Sequence, residues 1–422
     1  MYSNRLFSFA IDAERGFLPK QNPLIELPPN AEWNRKFNQL AKNIPQLLKE
    51  KKLRIVVDAL NQEFEAAVIN GRSAQVTVEN LAQKNAALLM LLMIAQAYLW
   101  EDANNKPRNM LPAVLAKNIY PLCKMQQRYP TLTYADYVLN NWRLKDQTKK
   151  ITLDNIEPLF TFTGSLDEAW FIKIHVAIEA VFAKALDAAQ RACALADDMV
   201  LREKMALAPQ QKDEDEEVLT EFLTQINHSL AAATKLLQGM KTGCDPHYFW
   251  HTLRSHFNGW EKISVKVGDK EETGVRFSGV DAESKIPAHR YIGASGAQSS
   301  SIPALDRALG VKHEMNNMFQ TAQSFEHYMP LEHRAFIMSL QQNKIRKIVA
   351  ASDSPKLIVA LEDAVTMLQM FREGHRGGLV KRYIFDPAEE QGISREQITG
   401  TGGTVEEYLQ TRSYNTKARA HL

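Results

Sequence analysis

The strongest constraint on the fold is the apolar run AALLMLLMIAQAYLW, which extends from Ala86 to Trp100 without a charged residue. It is shorter than the roughly 20 residues that a helix needs to cross a bilayer, and Gln96 interrupts it. A helix that is apolar on every face must be enclosed by other elements. We therefore expect a helix in the core of a globular protein.

Most other segments carry apolar residues three and four positions apart, a spacing that predicts amphipathic helices. The clearest are LTYADYVLNNWRL, DEAWFIKIHVAIEAVFAKALDAAQRACALA, VLTEFLTQINHSLAAATKLLQGM and a helix from about residue 355 to residue 384. Residues 262–277 alternate around a Gly-Asp pair and form the one good hairpin candidate. We expect an all-α fold with at most one small β-hairpin.

Composition limits the setting of the protein. A formal net charge of +2 gives no reason to expect a nucleic acid or an anionic membrane as partner. The three cysteines, Cys123, Cys193 and Cys244, are an odd number at wide and irregular spacing, which excludes a disulfide framework and a CxxC metal site. The N-terminus lacks the apolar core of a secretory signal. We expect a reducing, cytoplasmic location.

One histidine lies among three glycines in FREGHRGGLVKRYI, residues 371–384. Helical spacing puts His375 on an apolar stripe, where a lone histidine is most often a hydrogen-bonded core residue. Each glycine inside a helix costs about 1 kcal/mol relative to alanine. The missing side chains would admit a haem held by His375, or would end the helix at Gly377 and Gly378. The spacing leaves both interpretations open.

Six sequence blocks occur together in a familiar order. They are YADYVLNNW (134–142), FWHTLRSHFNGW (249–260), GASGAQSSSIPALDRALG (293–310), HYMPLEHRAF (327–336), the His375 helix and GTGGT (400–404). In these blocks the chain resembles the indoleamine 2,3-dioxygenases, which are haem enzymes of tryptophan breakdown. The resemblance runs from about residue 15 to the C-terminal helix.

The resemblance implies two helical domains. A small N-terminal domain, residues 1–155, would cap a large haem-binding catalytic domain, residues 156–422. His375 corresponds to the family's proximal haem ligand. Arg372 corresponds to an arginine that meets a haem propionate and pairs with an aspartate matching Asp306. An ordinary surface charge pair is the alternative for these two residues.

The resemblance also implies a substrate pocket. Arg254 matches the arginine that holds the substrate carboxylate, and a planar guanidinium suits that task because it donates two parallel hydrogen bonds. Phe249 matches the aromatic residue that packs on the substrate ring. Tyr134 and Phe171 match the walls of the distal pocket. The alternatives are a solvated arginine and ordinary core packing.

Two loop residues complete the implied site. Ser295, in the small-residue loop, would bond a propionate or the substrate amine, and we count it as a candidate catalytic residue. Thr401, in GTGGT, matches a threonine near the substrate ammonium group. Its glycines suit a loop that closes over the site, and a flexible linker is the alternative.

His175 departs from the mammalian-type pattern, which has serine at this position. The related tryptophan 2,3-dioxygenases use a distal histidine to accept the indole N–H. His175 lies four residues after Phe171, so both side chains can share one helix face. We infer that it reaches the pocket and is the second candidate catalytic residue. A packed core histidine is the alternative.

The resulting expectation is a haem b enzyme that adds both atoms of O₂ across the indole C2–C3 bond of L-tryptophan or a related indoleamine. The product would be N-formylkynurenine, formed at the first step of the kynurenine pathway. An unidentified reductant would serve the iron. The alternatives are a haem-dependent monooxygenase of an indole derivative, and a non-catalytic protein that binds haem or tryptophan.

Overall fold

The computed structural model describes residues 11–102, 107–205, 211–267, 270–281, 288–311, 325–340, 343–400 and 403–404. These residues are mostly helical, which confirms the all-α prediction. The α-helices are Glu32–Lys42, Ile44–Lys49, Leu53–Ile69, Leu81–Trp100, Ala113–Met125, Leu166–Lys204, Lys212–Gln238, Pro246–Tyr248, Ser301–Ala308, Leu331–Ser339, Lys344–Ala350, Pro355–Glu373 and Asp386–Glu389.

Several further stretches form π-helices or 3₁₀-helices instead of α-helices. Three are π-helical: Ala135–Leu139, Phe249–Leu253 and Gly374–Phe385. Others are 3₁₀-helical: Gly239–Thr242, Arg254–Phe257, Trp260–Lys262, Gly296–Gln298, Phe325–Tyr328 and Arg395–Gln397. Nearly all of them lie in the second half of the chain, among the blocks that carry the predicted site residues.

The Leu81–Trp100 helix is the buried helix that the apolar run predicts. Every residue from Ala86 to Trp100 is buried in the described structure. Asn80 begins the helix by accepting a hydrogen bond from the backbone N–H of Gln83 at 3.0 Å, which satisfies one of the free amides at a helix start. Within the described residues, no helix combines the length and hydropathy of a membrane span.

Gln96, the one amide inside that run, connects the buried helix to a distant segment. Its Nε2 donates to the carbonyl oxygens of His256 at 3.0 Å and Asn258 at 2.8 Å. Its Oε1 accepts from Trp260 Nε1 at 3.1 Å. Buried amides are stable only when they are hydrogen-bonded, and here the three bonds fix the segment that follows Arg254.

Three long helices form the frame of the second half of the chain. The Lys212–Gln238 helix packs against both Leu166–Lys204 and Pro355–Glu373. The two outer helices also touch directly, since Phe182 meets Phe371 edge-on with ring centroids 5.4 Å apart. This frame fixes the two helices that carry His175 and His375 relative to each other.

The strands are short. The predicted hairpin is confirmed, with Ser264–Val267 antiparallel to Lys270–Thr273. Three further pairings of two residues each also occur: Met110–Leu111 with Arg276–Phe277, Arg143–Leu144 with Ile156–Glu157, and Thr399–Gly400 with Gly403–Thr404. These exceed the one hairpin expected, because a two-residue strand is too short to show an alternating pattern.

The division at residue 155 remains a prediction. The buried side chains form one continuous apolar cluster that includes Trp33 and Leu92 on one side of this position and Leu186 and Leu368 on the other. All three cysteines are buried, and none of them forms a disulfide.

We predict that Gln96→Leu lowers the free energy of unfolding by about 2–5 kcal/mol, because it leaves two carbonyl groups and an indole N–H without their partner. Urea unfolding measures this. Gln62→Leu, at an exposed position of the Leu53–Ile69 helix, is the matched control and should change stability by no more than about 0.5 kcal/mol. Equal stability of the two variants would contradict the role of Gln96.

Candidate active site

Each of the three π-helical stretches adjoins or contains a predicted site residue. Tyr134 directly precedes the first stretch, Phe249 begins the second and His375 is the second residue of the third. A π-turn adds a residue to a helical turn and redirects the side chains around it, and such turns are frequent at functional sites. The π-helical turns therefore occur at three of the positions that the sequence blocks also indicated.

The glycine-rich helix does not end at its glycines. The helix that begins at Pro355 continues as a π-helix up to Phe385. Neither Gly377 nor Gly378 has the positive φ of a left-handed helix cap. The interpretation of this pair as a helix end is therefore wrong.

Close packing of protein does not explain these glycines. A methyl group placed on Gly377 or Gly378 would meet no atom of the described residues outside its own helix within 4 Å. On Gly374 it would meet Thr234 Cγ2 at 3.9 Å, an ordinary contact. Because Gly377 and Gly378 are exposed, the open space beside them reaches solvent, and it leaves room for a bulky group against the helix.

His375 lies on the predicted apolar stripe and is half-buried. Other buried members of the stripe are Leu361, Ala364, Leu368 and Phe371. Neither ring nitrogen of His375 forms a hydrogen bond with a residue that the structure describes. Burial, and then the charge of His175, lower the pKa of His375 to about 4. The ring is therefore neutral near pH 7, which is the form that ligates haem iron.

The predicted pair of Arg372 and Asp306 is present. Arg372 Nη2 donates to both carboxylate oxygens of Asp306, at 2.7 and 2.6 Å. The side chains are 11% and 8% exposed, so this is not an ordinary surface pair. It fixes the helix of His375 to the helix Ser301–Ala308, which follows the small-residue loop.

His175 has a defined tautomer. Its Nδ1 lies 2.7 Å from the carbonyl oxygen of Phe171. A carbonyl oxygen can only accept, so Nδ1 carries the proton and Nε2 presents a lone pair. Burial lowers the pKa of His175 despite this hydrogen bond, which favours the neutral ring. The charge of His175 contributes to the lowered pKa of His375, so the two imidazoles lie within electrostatic range of each other.

The predicted wall residues form one continuous aromatic set. Tyr134 meets His175 edge-on with ring centroids 6.1 Å apart, and His175 lies 4.4 Å from Phe171. Phe171 stacks on Phe249 at 5.6 Å. Phe249 in turn meets Tyr383 edge-on at 5.6 Å, on the π-helix of the predicted iron ligand. The set thus connects the distal helix to the proximal one.

Arg254 lies between Phe249 and Phe257 in the chain, and both of these rings pack on Phe171. The guanidinium of Arg254 lies over the Trp250 ring, 4.4 Å from the centroid, and burial lowers its pKa. Phe257, three residues later, packs on Phe171 at 5.7 Å. Burial, and then the charge of Arg254, lower the pKa of Lys262. The charge of Glu261 offsets part of this repulsion, and a second carboxylate beside Arg254 would offset more of it.

Ser295 begins the 3₁₀-turn Gly296–Gln298, where its Oγ accepts from the backbone N–H of Ala297 at 3.2 Å. The loop is fixed by Gln298, whose Oε1 accepts from the backbone N–H of Tyr134 at 2.9 Å. A methyl group on Gly293 would lie 1.8 Å from the carbonyl oxygen of Phe257, so only glycine permits this approach. The small-residue loop is therefore held against both the Tyr134 and the Arg254 segments.

Thr401 lies outside the residues that the structure describes. On either side of it, Thr399–Gly400 pairs antiparallel with Gly403–Thr404. The assignment of Thr401 to the substrate ammonium group stays a prediction.

Two buried polar residues of this region escaped the sequence analysis. Gln298 joins the small-residue loop to Tyr134, and Glu179 accepts a hydrogen bond from the Tyr134 hydroxyl at 3.0 Å. A signal existed for Glu179, because it is an acid in the otherwise apolar stretch HVAIEAVF. Buried acids need several donors, and such a position indicates a hydrogen-bond network. Gln298 has no comparable signal.

Comparison with known proteins gives a consistent result. The model of the indoleamine 2,3-dioxygenase family matches residues 5–420. The chain is 29% identical to indoleamine 2,3-dioxygenase 1 of Rattus norvegicus, over 98% of this chain and 95% of that relative. It is 29% identical to indoleamine 2,3-dioxygenase of Saccharomyces cerevisiae, over 92% and 81%. It is also 26% identical to a myoglobin of Haliotis diversicolor, over 94% of each chain.

These matches include all six sequence blocks and confirm the resemblance and the enzyme class that the blocks indicated. Because the family match covers nearly the whole length of the chain, the protein belongs to the indoleamine 2,3-dioxygenase family of haem-dependent enzymes.

Proposed function

We propose that the protein adds both atoms of O₂ across the C2–C3 bond of L-tryptophan or a related indoleamine, giving N-formylkynurenine at the first step of the kynurenine pathway. The observations that carry this proposal are the His375 ring, whose nitrogens no described residue engages, and the His175 ring, whose Nδ1 is bonded to Phe171 and which belongs to a continuous aromatic wall. The imidazole of His375 can ligate an iron, and the imidazole of His175 can accept a hydrogen bond from an indole N–H.

The residues present fit a haem. His375 would ligate the iron through a ring nitrogen that no described residue engages, and Arg372 would meet a propionate while held by Asp306. Bound haem supplies the iron that activates O₂. We assign haem b because the three cysteines lack the C-x-x-C-H spacing of covalent attachment. A reductant outside the chain would supply the ferrous state.

The protein groups orient the substrate. The rings of Phe171 and Phe249 would pack on the indole, since offset and edge-on contacts suit aromatic faces. Arg254 would hold the carboxylate, while Ser295 and Thr401 would face the ammonium group. Holding the indole C2–C3 bond near the oxygen site and excluding water lowers the barrier mainly through orientation.

His175 would accept the indole N–H. Because Nδ1 donates to the Phe171 carbonyl, only Nε2 is available as acceptor, and the ring cannot rotate without breaking that bond. The histidine therefore fixes the direction of the indole nitrogen without any proton transfer.

One relative favours a second candidate function. The myoglobin from Haliotis diversicolor is similar over 94% of its length, so an oxygen-binding protein without turnover is a possible use of this scaffold. The carboxylate-binding role proposed for Arg254 favours the dioxygenase, because an oxygen carrier has no substrate carboxylate to hold. Incubation of the reduced, haem-loaded protein with L-tryptophan and O₂ decides between them: N-formylkynurenine supports the dioxygenase, and reversible O₂ binding without product supports the carrier.

The location that we propose is the cytoplasm. None of the three buried cysteines forms a disulfide, as is usual where the surroundings keep thiols reduced.

We predict that His375→Ala abolishes the haem spectrum of a histidine-ligated ferrous protein, and that added imidazole restores it by filling the vacated position. The spectrum of the ferrous carbon monoxide complex measures this. His247→Ala is the control, because His247 is exposed and pairs with Glu390 at the surface. A wild-type spectrum for His375→Ala without imidazole would contradict the assignment.

We predict that Arg254→Lys raises the KM for L-tryptophan by about 10–100-fold, since a charge-assisted hydrogen-bond pair contributes about 1.5–3 kcal/mol. The KM for tryptamine, which lacks the carboxylate, should change much less. Steady-state kinetics with both compounds measures the ratio. Arg395→Lys is the matched control, because Arg395 also lies over an aromatic ring, that of Phe385. An unchanged ratio in Arg254→Lys would refute the carboxylate assignment.

We predict that the protein discriminates against 1-methyltryptophan by about 5–100-fold in kcat/KM, because the methyl group leaves the lone pair of His175 unpaired at a cost of about 1–3 kcal/mol. His175→Ala should remove most of this discrimination. His175→Gln, which retains an acceptor, should preserve part of it. If His175→Ala discriminates as strongly as the wild type, His175 does not bind the indole nitrogen.

A further inference from the structure

Glu179 is a buried acid one helical turn after His175, with only 1% of its surface exposed. Its carboxylate accepts three hydroxyl hydrogen bonds. Tyr134 donates at 3.0 Å, Ser299 at 2.7 Å and Ser301 at 2.5 Å. These donors belong to the two segments that flank the pocket, so one carboxylate connects both of them to the distal helix.

This arrangement relies on hydroxyl groups alone. No ion pair to Glu179 occurs among the residues that the structure describes. Burial raises the pKa of Glu179, and the bonds from Ser301, Ser299 and Tyr134 offset only part of that rise. Burial of a carboxylate is energetically unfavourable unless the carboxylate is hydrogen-bonded, so Glu179 requires all of its donors in place. The three donors are therefore held at fixed positions around the carboxylate.

Tyr134 is consequently fixed at both ends. Its backbone N–H donates to Gln298 Oε1 at 2.9 Å, and its hydroxyl donates to Glu179. Between these two points, the ring meets His175 edge-on. Any movement of the Glu179 carboxylate would thus move the ring against which His175 packs.

The small-residue loop is fixed by the same residues. Gln298 Nε2 donates to the carbonyl oxygen of Gly293 at 2.9 Å, where the loop begins. Ser299 and Ser301, just past the turn of Ser295, donate to Glu179. The separation between the loop and the distal helix is therefore set through Glu179.

We propose that Glu179 is a positioning residue of the substrate pocket, which sets the spacing between the His175 ring, the Tyr134 wall and the Ser295 loop. It does not touch the substrate. This role rests on the proposed function, because it concerns the placement of an indole substrate beside His175.

A second buried acid on the same helix, Glu168, has a different set of hydrogen-bond donors. Glu168 accepts from the backbone N–H groups of Phe162 and Thr163, both at 2.7 Å, and from the hydroxyls of Thr163 at 2.6 Å and Tyr137 at 2.7 Å. Two of its partners are backbone amides at the helix start, so it orders the chain before the helix. All three donors of Glu179 are side-chain hydroxyls beside the pocket, which points to placement of pocket groups.

The test compares Glu179→Gln, Tyr134→Phe and the double variant with Glu216→Gln. Glu216 is also buried and accepts from a serine hydroxyl, that of Ser352, at 2.7 Å. It lies on the Lys212–Gln238 helix, about 27 Å along the axis from Thr234, the neighbour of Gly374. The Glu216→Gln variant therefore measures the loss of stability and activity that follows when a buried acid far from the pocket is neutralised.

We expect Glu179→Gln and Tyr134→Phe each to lower kcat for L-tryptophan by about 10–100-fold, because small misplacements have effects of this size. The double variant should lose no more than the stronger single one, since the hydroxyl of Tyr134 acts through its bond to Glu179, which the Glu179 variant already perturbs. The urea midpoint should fall no further than in Glu216→Gln. A normal kcat in Glu179→Gln, or multiplied losses in the double variant, would overturn the proposal.

A second measurement needs no turnover and separates the two proposals. The carbon monoxide stretching frequency of the ferrous complex reports on the groups around the distal side. Glu179→Gln and Tyr134→Phe should shift it in the same direction, and Glu216→Gln should not. If the wild type forms no product but the shared shift occurs, the proposed function fails, whereas Glu179 still sets the position of the groups on the distal side. Wild-type frequencies in both variants would overturn the positioning role.

Discussion

The pocket depends on how one long helix satisfies its buried polar groups. Leu166–Lys204 is enclosed on several faces, so each polar side chain that points inward must find a partner within the protein. His175 donates a hydrogen bond to a carbonyl oxygen one turn earlier in its own helix. Glu179 accepts hydrogen bonds from three hydroxyl groups that belong to two other segments. These bonds decide which tautomer His175 presents and where the aromatic wall stands.

On the opposite side of the pocket, contacts with other segments of the chain hold the helix in place. The helix of His375 is fixed from outside, by the pair of Arg372 with Asp306 and by the hydrogen bond from the Tyr383 hydroxyl to the carbonyl of Cys244 at 2.6 Å. Its own ring is left without a hydrogen-bond partner in the described structure. A neutral imidazole in this state is a strong candidate for a metal ligand, because nothing competes for its lone pair.

Sequence patterns predicted the large features and missed the particular ones. The buried run ending at Trp100 and the stripe through His375 follow from local spacing, which is why periodicity revealed them. The π-turns do not, because an extra residue per turn breaks that same periodicity. The bonds of Glu179 to Ser299 and Ser301 join positions more than a hundred residues apart, and no local pattern records such contacts. The roles of Arg254 and Thr401 came from the family resemblance alone.

The central claim is that both atoms of one O₂ molecule enter the indole ring. The most direct test uses an equal mixture of unlabelled and doubly labelled O₂ with L-tryptophan, followed by the mass of the product after correction for carbonyl exchange with water. The account predicts product molecules that carry either two heavy atoms or none. Product that carries a single heavy atom as its main labelled form would contradict it and would indicate insertion of one oxygen atom from each O₂ molecule.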